Sequence, residues 1–298
     1  MSAGPPQDQG RALAAASSAY VLWGVLPLFL KLLAHLPPLE VTAHRALWTA
    51  PAAALAAAAM GGLAQLKVDR AALMRLVLAA VLIGANWLIY VWSVANERIV
   101  EASLGYFLLP LLNVAIGVAA FRERLTRAQW IAVGLAAAGV LNMAVGVGVI
   151  PWVALGLAFS FGLYGVVKKT VPVSAPAGLF WEAALLSVPA AGLMIWIAGS
   201  GGAPFGTAPF DWALLLATGP ISAIPLMLFA YGARRLPLTA LGLLQYLAPT
   251  LQFVIGLSFG EPFTPGHAVT FGLIWAGLAL YTVSGWRAQH RNAAGDSR

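Results

Sequence analysis

The chain has 298 residues, 61% of them hydrophobic and 9% charged, with a mean hydropathy of +0.85 and a net charge of +7. Composition this apolar leaves no polar block long enough to fold as a water-soluble module, and it describes a chain whose solvent is largely lipid. Cysteine is absent, which excludes disulfides, thiolate metal sites and cysteine nucleophiles.

In chain order, apolar segments of membrane-spanning length fall near 12–33, 39–60, 74–95, 101–120 and 128–148. The first is too long for the core of a cleavable leader and no small-residue cleavage site follows it, so it reads as a span. Pro37-Pro38 turns the chain into the second. Five more segments follow near 151–168, 177–198, 211–231, 238–258 and 267–286. Pro151 opens the first of these, at a position where proline is tolerated. The Gly/Pro-rich stretch 199–210 is expected as an outer loop. The first ten residues and the tail beyond Arg291 are expected to be disordered.

The two sets of five repeat one another. Pro110, Gly117, Glu123, Thr126, Gly134 and Gly139 recur as Pro249, Gly256, Glu261, Thr264, Gly272 and Gly277, at offsets of 139 and 138. HRALWTAPAA (44–53) is echoed by EAALLSVPAA (182–191), and Trp23-Gly24 by Tyr164-Gly165. An odd number of spans per copy makes the second copy enter the membrane upside down. The expected fold is an all-α polytopic membrane protein, ten transmembrane helices as two inverted five-helix repeats. The repeats are 11–148 and 151–287, with cytoplasmic tails at 1–10 and 288–298.

Charge orients this topology. One side receives Arg11, Lys67, Arg70, Arg75, Arg122, Arg124, Arg127, Lys168, Lys169, Arg234, Arg235, Arg287, Arg291 and Arg298, fourteen in all. The other receives two, Lys31 and Arg98, while Arg45 lies within a span. The positive-inside rule then puts both termini in the cytoplasm, and the net charge is an orientation signal rather than a nucleic-acid footprint.

Ionisable groups inside the hydrocarbon are costly and therefore functional candidates. His44 and Arg45 lie near the outer end of the second segment; Glu182, the repeat mate of His44, lies equally deep from the other end of the seventh. At 1.5 Å per residue each is about 7 Å into a core of about 30 Å, so the reading is two separate polar clusters. The outer one comprises Arg45 and Lys31 with Glu101, Glu97 or Glu40. The inner one pairs Glu182 with Lys168, Lys169, Arg234 or Arg235. The alternative is that these charges snorkel and hold helices in register.

Nearer mid-depth stands a polar, aromatic girdle: Trp23, Asn86, Trp87, Tyr90, Tyr106, Asn113, Tyr164, Gln245, Tyr246, Gln252 and Trp275. Neutral amides, phenols and indoles suit a cavity that binds a small amphipathic or ring-bearing molecule; packing between helices is the plain alternative. Pro110 and Pro249, at matching repeat positions, are expected mid-span kinks and hinges. Gly134, Gly139, Gly272 and Gly277 give the fifth and tenth segments small packing faces. The four histidines have no metal-ligand spacing, and no phosphate-binding loop, zinc helix or calcium loop is present. No cofactor, no metal and no catalytic residue is expected.

YVLWGVLP (20–27), HRALW (44–48), GANW (84–87), EASLGYF (101–107), RERL (122–125), FSFGLYG (159–165), QYLAPT (245–250) and FGLIW (271–275) resemble the RarD-type branch of the EamA family, in the drug/metabolite transporter superfamily. The resemblance runs from about residue 11 to 287. It implies the ten-helix inverted-repeat fold in a bacterial inner membrane, a cavity lined by the first, third, fourth, sixth, eighth and ninth spans, and the fifth and tenth as scaffold. Leu109 departs from the branch, which usually has Asn there, and Ser222-Ala223 replaces a usual Thr pair.

The function expected is secondary transport by alternating access, with export of small metabolites or drug-like compounds of amino-acid-like or amphenicol-like kind. The partners expected are a small-molecule substrate, the lipid bilayer and, as a candidate, a coupling proton. A membrane-embedded enzyme and a non-transporting membrane partner are the alternatives. The enzyme would need a nucleophile or metal constellation at the membrane interface, and the sequence offers none; the partner protein would need neither a polar girdle nor repeat-matched prolines.

Overall fold

A computed structural model describes residues 6–121, 126–146, 150–202, 208–233, 235–236, 241 and 244–295, with side chains described except at 6–9, 113–121, 146, 169, 233 and 285–295. Among these residues there are ten α-helices and no strand. They are α1 (Pro6–Leu32), α2 (Pro38–Gly61), α3 (Arg70–Ala95), α4 (Ile99–Phe121), α5 (Arg127–Leu141), α6 (Trp152–Lys169), α7 (Ala175–Gly199), α8 (Pro209–Ala233), α9 (Leu247–Ser258) and α10 (Pro265–Gly295). A π-helical turn, Asn142–Gly146, continues α5. Six of the helices, α1, α3, α5, α7, α8 and α10, are long and apolar enough to cross a membrane among the described residues. The side chains of Asn113, Lys169, Arg287 and Arg291 lie outside the described residues, as do Arg122, Glu123, Arg124, Arg234 and Arg298.

Local chemistry sets the helix starts. Pro38 stands in the first turn of α2, where its missing N–H is no loss. Asp69 caps α3 by accepting from Ala72 N at 2.6 Å. Thr126 and Gln129 form a reciprocal capping box at α5, and Ser174 caps α7.

Packing exchanges the two halves of the chain. The pairs α2·α7, α4·α9 and α5·α10 join equivalent helices. The pair α1·α8 is matched by α6·α3, α1·α9 by α6·α4, and α2·α8 by α7·α3. In the α2·α7 contact a row of buried alanines on α2, Ala43, Ala46, Ala50, Ala53 and Ala57, steps by three and four residues along one face. Such small side chains let backbones approach closely where no hydrophobic effect separates protein from solvent. Ser187 closes the gap by donating to the Ala183 and Ala46 carbonyls.

Hydrogen bonds define the two ends of the bundle. At one end His35, after α1, meets Asp211 of α8; Glu261, before α10, meets the start of α4; and Glu101 of α4 meets the start of α6. At the opposite end Gln65 meets Ser174, Trp181 meets the Leu66 carbonyl, and Arg75 meets the Thr170 carbonyl.

Four expectations change. Helix α1 begins at Pro6 and α10 runs to Gly295, so the chain is helical beyond the limits set for the tails. The ninth segment is not one helix from 238 to 258: a turn at Gln245-Tyr246 precedes α9, whose first residue is Leu247. Pro249 therefore stands in the first turn of α9 rather than mid-span, whereas Pro110 lies inside α4. Only one glycine of each five-residue pair packs. A methyl added at Gly139 would meet the Thr270 carbonyl at 3.1 Å and one at Gly277 the Ala132 carbonyl at 2.8 Å, whereas Gly134 and Gly272 face open space. Five residues turn a helix by about 140°, so one stripe cannot hold both.

Candidate functional site

Polar side chains gather at three levels of the bundle. At the end that carries the α1–α2 connection, carboxylates serve helix starts. Glu261 accepts from Ile99 N at 2.8 Å and Val100 N at 2.7 Å, and Glu101 accepts from Val153 N at 3.0 Å while Arg98 stands 3.5 Å away. The first N–H groups of a helix have no internal acceptor and carry partial positive charge, so a carboxylate is the natural partner. Asp211, itself buried, accepts from Ala208 N and lies 3.0 Å from His35 Nε2.

At the middle level Arg45 leaves α2 and reaches α8. Its Nε donates to Ser222 Oγ at 2.8 Å, and its guanidinium lies over the Trp87 ring at 4.4 Å. Ser222 is thirteen residues past the start of α8 and eleven before its end. Beside it Asn86 Nδ2 donates to the Leu157 carbonyl (3.1 Å) and to Ser160 Oγ (3.0 Å), and Asn86 Oδ1 accepts from Tyr106 OH at 3.3 Å. The Tyr90 and Tyr106 rings meet edge to face at 5.8 Å, and Tyr106 meets Phe161 at 6.3 Å. The Tyr90 hydroxyl is buried with no hydrogen-bond partner among the described residues, and so is Thr49 Oγ1.

Toward the opposite end Lys168 Nζ and Glu182 Oε1 form a 2.7 Å ion pair, and Tyr164 OH donates to Glu182 Oε2 at 3.0 Å. The Glu182 side chain is 1% exposed and that of Lys168 26%.

The outer cluster is corrected. Among the described residues Arg45 pairs with none of Glu101, Glu97 and Glu40. Lys31 lies over the Phe259 ring at 5.2 Å and also forms no ion pair there. Two causes act together: Glu101 is drawn to the α6 start, and the Arg45 side chain carries its charge to mid-depth, several ångströms from its own backbone. The inner pair is Glu182 with Lys168, one of the four bases considered.

His44 is fully buried and accepts from Trp48 Nε1 through Nδ1 at 3.2 Å. Trp23 packs on Tyr20 and Phe229, and its carbonyl accepts from Gln252 Nε2 at 3.1 Å. The Gln252 side-chain carbonyl is buried with no partner among the described residues. Gln245 lies in the turn before α9, half-buried. Tyr246 and Trp275 belong elsewhere: Tyr246 packs on the α4, α5 and α10 cluster, and Trp275, 42% exposed, meets Phe107, Phe253 and Phe271 edge to face. The girdle thus divides, with Asn86, Trp87, Tyr90 and Tyr106 gathered around Arg45. Among the described residues no three His, Asp or Glu side chains converge as metal ligands.

Glu261, Asp211, Ser160 and Ser222 escaped the sequence reading as site or capping groups. Glu261 had shown itself only as the repeat mate of Glu123. An acidic residue in the first turn of an apolar segment was the available signal for Asp211.

Residues 10–145 match the EamA-like transporter family. Over 281 residues the chain is 44% identical to Protein RarD of Streptomyces exfoliatus, covering 93% of this chain and 89% of that protein. It is 40% identical over 279 residues to the uncharacterized transporter YojE of Bacillus subtilis, covering 89% and 91%. A solved crystal structure 21% identical in sequence shares the fold with a TM-score of 0.62, over 93% of this chain and 98% of that one.

Proposed function

Because the chain belongs to the EamA family, in its RarD branch, we propose that it is a secondary transporter that exports small organic molecules by alternating access. The observation that carries this is the exchange of helix pairings between the halves, with the Arg45–Asn86–Tyr106 layer enclosed where they meet. In this reading all ten helices span a bacterial inner membrane as two inverted copies, 11–148 and 151–287. The end bearing Lys67, Arg70, Arg75 and Lys168 faces the cytoplasm together with both termini. Rocking of one half against the other opens the layer to each side in turn, with Pro110 and the break before Pro249 as the flexing points. Lys31 and Glu101 stand at the outer gate, Lys168 and Glu182 at the inner one.

Glu182 is the proposed site of a coupling proton, since neutralising it frees Lys168 and loosens the α6–α7 contact. Trp23, Asn86, Trp87, Tyr90, Tyr106, Asn113, Tyr164 and Gln252 are the proposed substrate-facing set. Gln245, Tyr246 and Trp275 stand further out, as supports for α9 and α10. The substrates proposed are compounds of amino-acid-like or amphenicol-like size.

The test is counterflow in proteoliposomes, with a panel of amino acids, aromatic amines, aromatic carboxylates and amphenicols. Exchange of at least one compound above protein-free liposomes is expected, faster with an inward proton gradient, and Asn86→Ala should slow it. A folded protein that exchanges nothing in the panel overturns the reading.

A further inference from the structure

The chain has ten acidic residues, and their whereabouts define what Arg45 lacks. Three of them, Asp8, Glu123 and Asp296, have no described side chain. Of the other seven, Asp69 caps α3, Glu101 serves α6 and Arg98, Glu182 holds Lys168 and Tyr164, Asp211 holds His35 and Ala208 N, and Glu261 caps α4. Glu97 is exposed at the α3–α4 corner. Glu40 stands in the first turn of α2, five residues before Arg45 and so about 140° around the helix from it. The ion pairs among the described residues do not include Arg45, which is 7% exposed.

A guanidinium has five N–H donors in a planar fork, and the one on Nε is spent on Ser222. The four on its two amino groups have no protein acceptor among the described residues. The Trp87 face beneath the fork and the Ser222 hydroxyl fix its orientation without neutralising it. An arginine held at mid-depth with its fork unpaired is costly, and the partner that matches the fork is a carboxylate taken bidentately.

Two further polar atoms accompany it. Thr49 lies four residues on from Arg45 along the same face of α2, and its buried hydroxyl has no partner among the described residues. The Tyr90 hydroxyl, likewise without a partner among the described residues, belongs to a ring one turn along α3 from Trp87, which lies under the guanidinium, and edge to face with Tyr106. Around them the surfaces are rings: Trp87, Tyr90, Tyr106 and Phe161.

We propose that Arg45 is the anchor for the carboxylate of a small organic acid, with Thr49 and the Tyr90 hydroxyl as additional donors and the surrounding rings holding an aromatic or apolar body. Ser222 is a positioning residue that aims the fork. This assignment rests on the transport reading and narrows it: the preferred substrates are anionic at the end that enters mid-depth.

The experiment compares phenylacetate with phenylacetamide, which share a ring and differ in charge. On the full-length protein in proteoliposomes, phenylacetate should compete with counterflow of the best panel compound roughly ten- to a hundredfold more strongly than the amide, the range of hydrogen bonds to a charged group. In detergent, phenylacetate should raise the melting temperature of the unaltered protein and the amide should not, a readout that needs no variant to fold. Arg45→Gln should remove the discrimination, Arg45→Lys should restore part of it, and Ser222→Ala should weaken it. A protein that exchanges panel compounds yet treats acid and amide alike overturns the carboxylate assignment and leaves transport standing. Counterflow of nothing, with no stabilisation by either probe, overturns both.

Discussion

Glu261 joins two connections that are far apart in sequence, and what it does there is decided by two amide protons. Ile99 N and Val100 N sit at the start of α4 with no helical acceptor, and the Glu261 carboxylate receives both. Glu261→Ala leaves two buried donors unsatisfied, at about 1–3 kcal/mol each by the usual cost of such groups. The expected result is a clear fall in melting temperature, while Glu97→Ala, on the exposed corner beside it, stays within about 0.5 kcal/mol of the unaltered protein. Equal melting temperatures for the two variants would remove Glu261 from the fold's supports. The Lys168–Glu182 pair follows a different rule. Glu182→Ala strands a cation in a site from which water is mostly removed, and breaking such a pair costs about 3–5 kcal/mol. Replacing both partners, Lys168→Met with Glu182→Gln, should recover most of that loss in the same thermal assay. The sequence located Arg45, Glu182, Asn86 and Tyr106 because depth along an apolar segment can be counted. It could not pair them, because a side chain of six or seven ångströms can turn toward either end. Arg45 reaches Ser222 by such a turn, and Glu101 was claimed by a helix start that no residue count reveals.

At the scale of elements, apolar length and turn residues located the second to eighth helices to within a few residues of their limits, α5 being taken with its π-helical turn, while α1 starts earlier and α10 ends later than expected. The ninth differs because Gln245-Tyr246 breaks the helix, and apolarity alone cannot tell a continuous span from a helix, a turn and a second helix. The break changes what the repeat-matched prolines do. Pro110 removes a bond within α4, while Pro249 lies in a first turn where no bond is owed. Glycine pairs on α5 and α10 provide a sharper test of packing. Gly277→Ala would push a methyl to 2.8 Å from the Ala132 carbonyl and should destabilise the α5·α10 contact. Gly134→Ala meets nothing within 4 Å and should be neutral or stabilising by about 0.4–1 kcal/mol. Melting temperatures of the two variants in detergent should move in opposite directions or differ clearly; matching losses would mean that both glycines pack.

For the molecule as a whole, the exchange of pairings between halves is the feature from which the rest follows. Equivalent helices pack on each other or swap partners in matched pairs, and the buried polar layer lies where the halves meet. The repeat in the sequence made two matched halves an expectation, and an odd number of spans per copy implies inversion if every helix crosses. Which helices touch was not legible, because contact depends on faces that an almost uniformly apolar helix does not distinguish. The measurement that tests inversion most directly uses the absence of cysteine from the chain. Single cysteines are placed at His35, in the connection after α1, and at Thr170, in the equivalent connection after α6, and intact cells are treated with a membrane-impermeant thiol reagent. The account predicts that His35→Cys is labelled from outside and Thr170→Cys only after the membrane is opened. Labelling of both from the same side would contradict the inverted halves, and with them the route by which the Arg45 layer is opened to each compartment in turn.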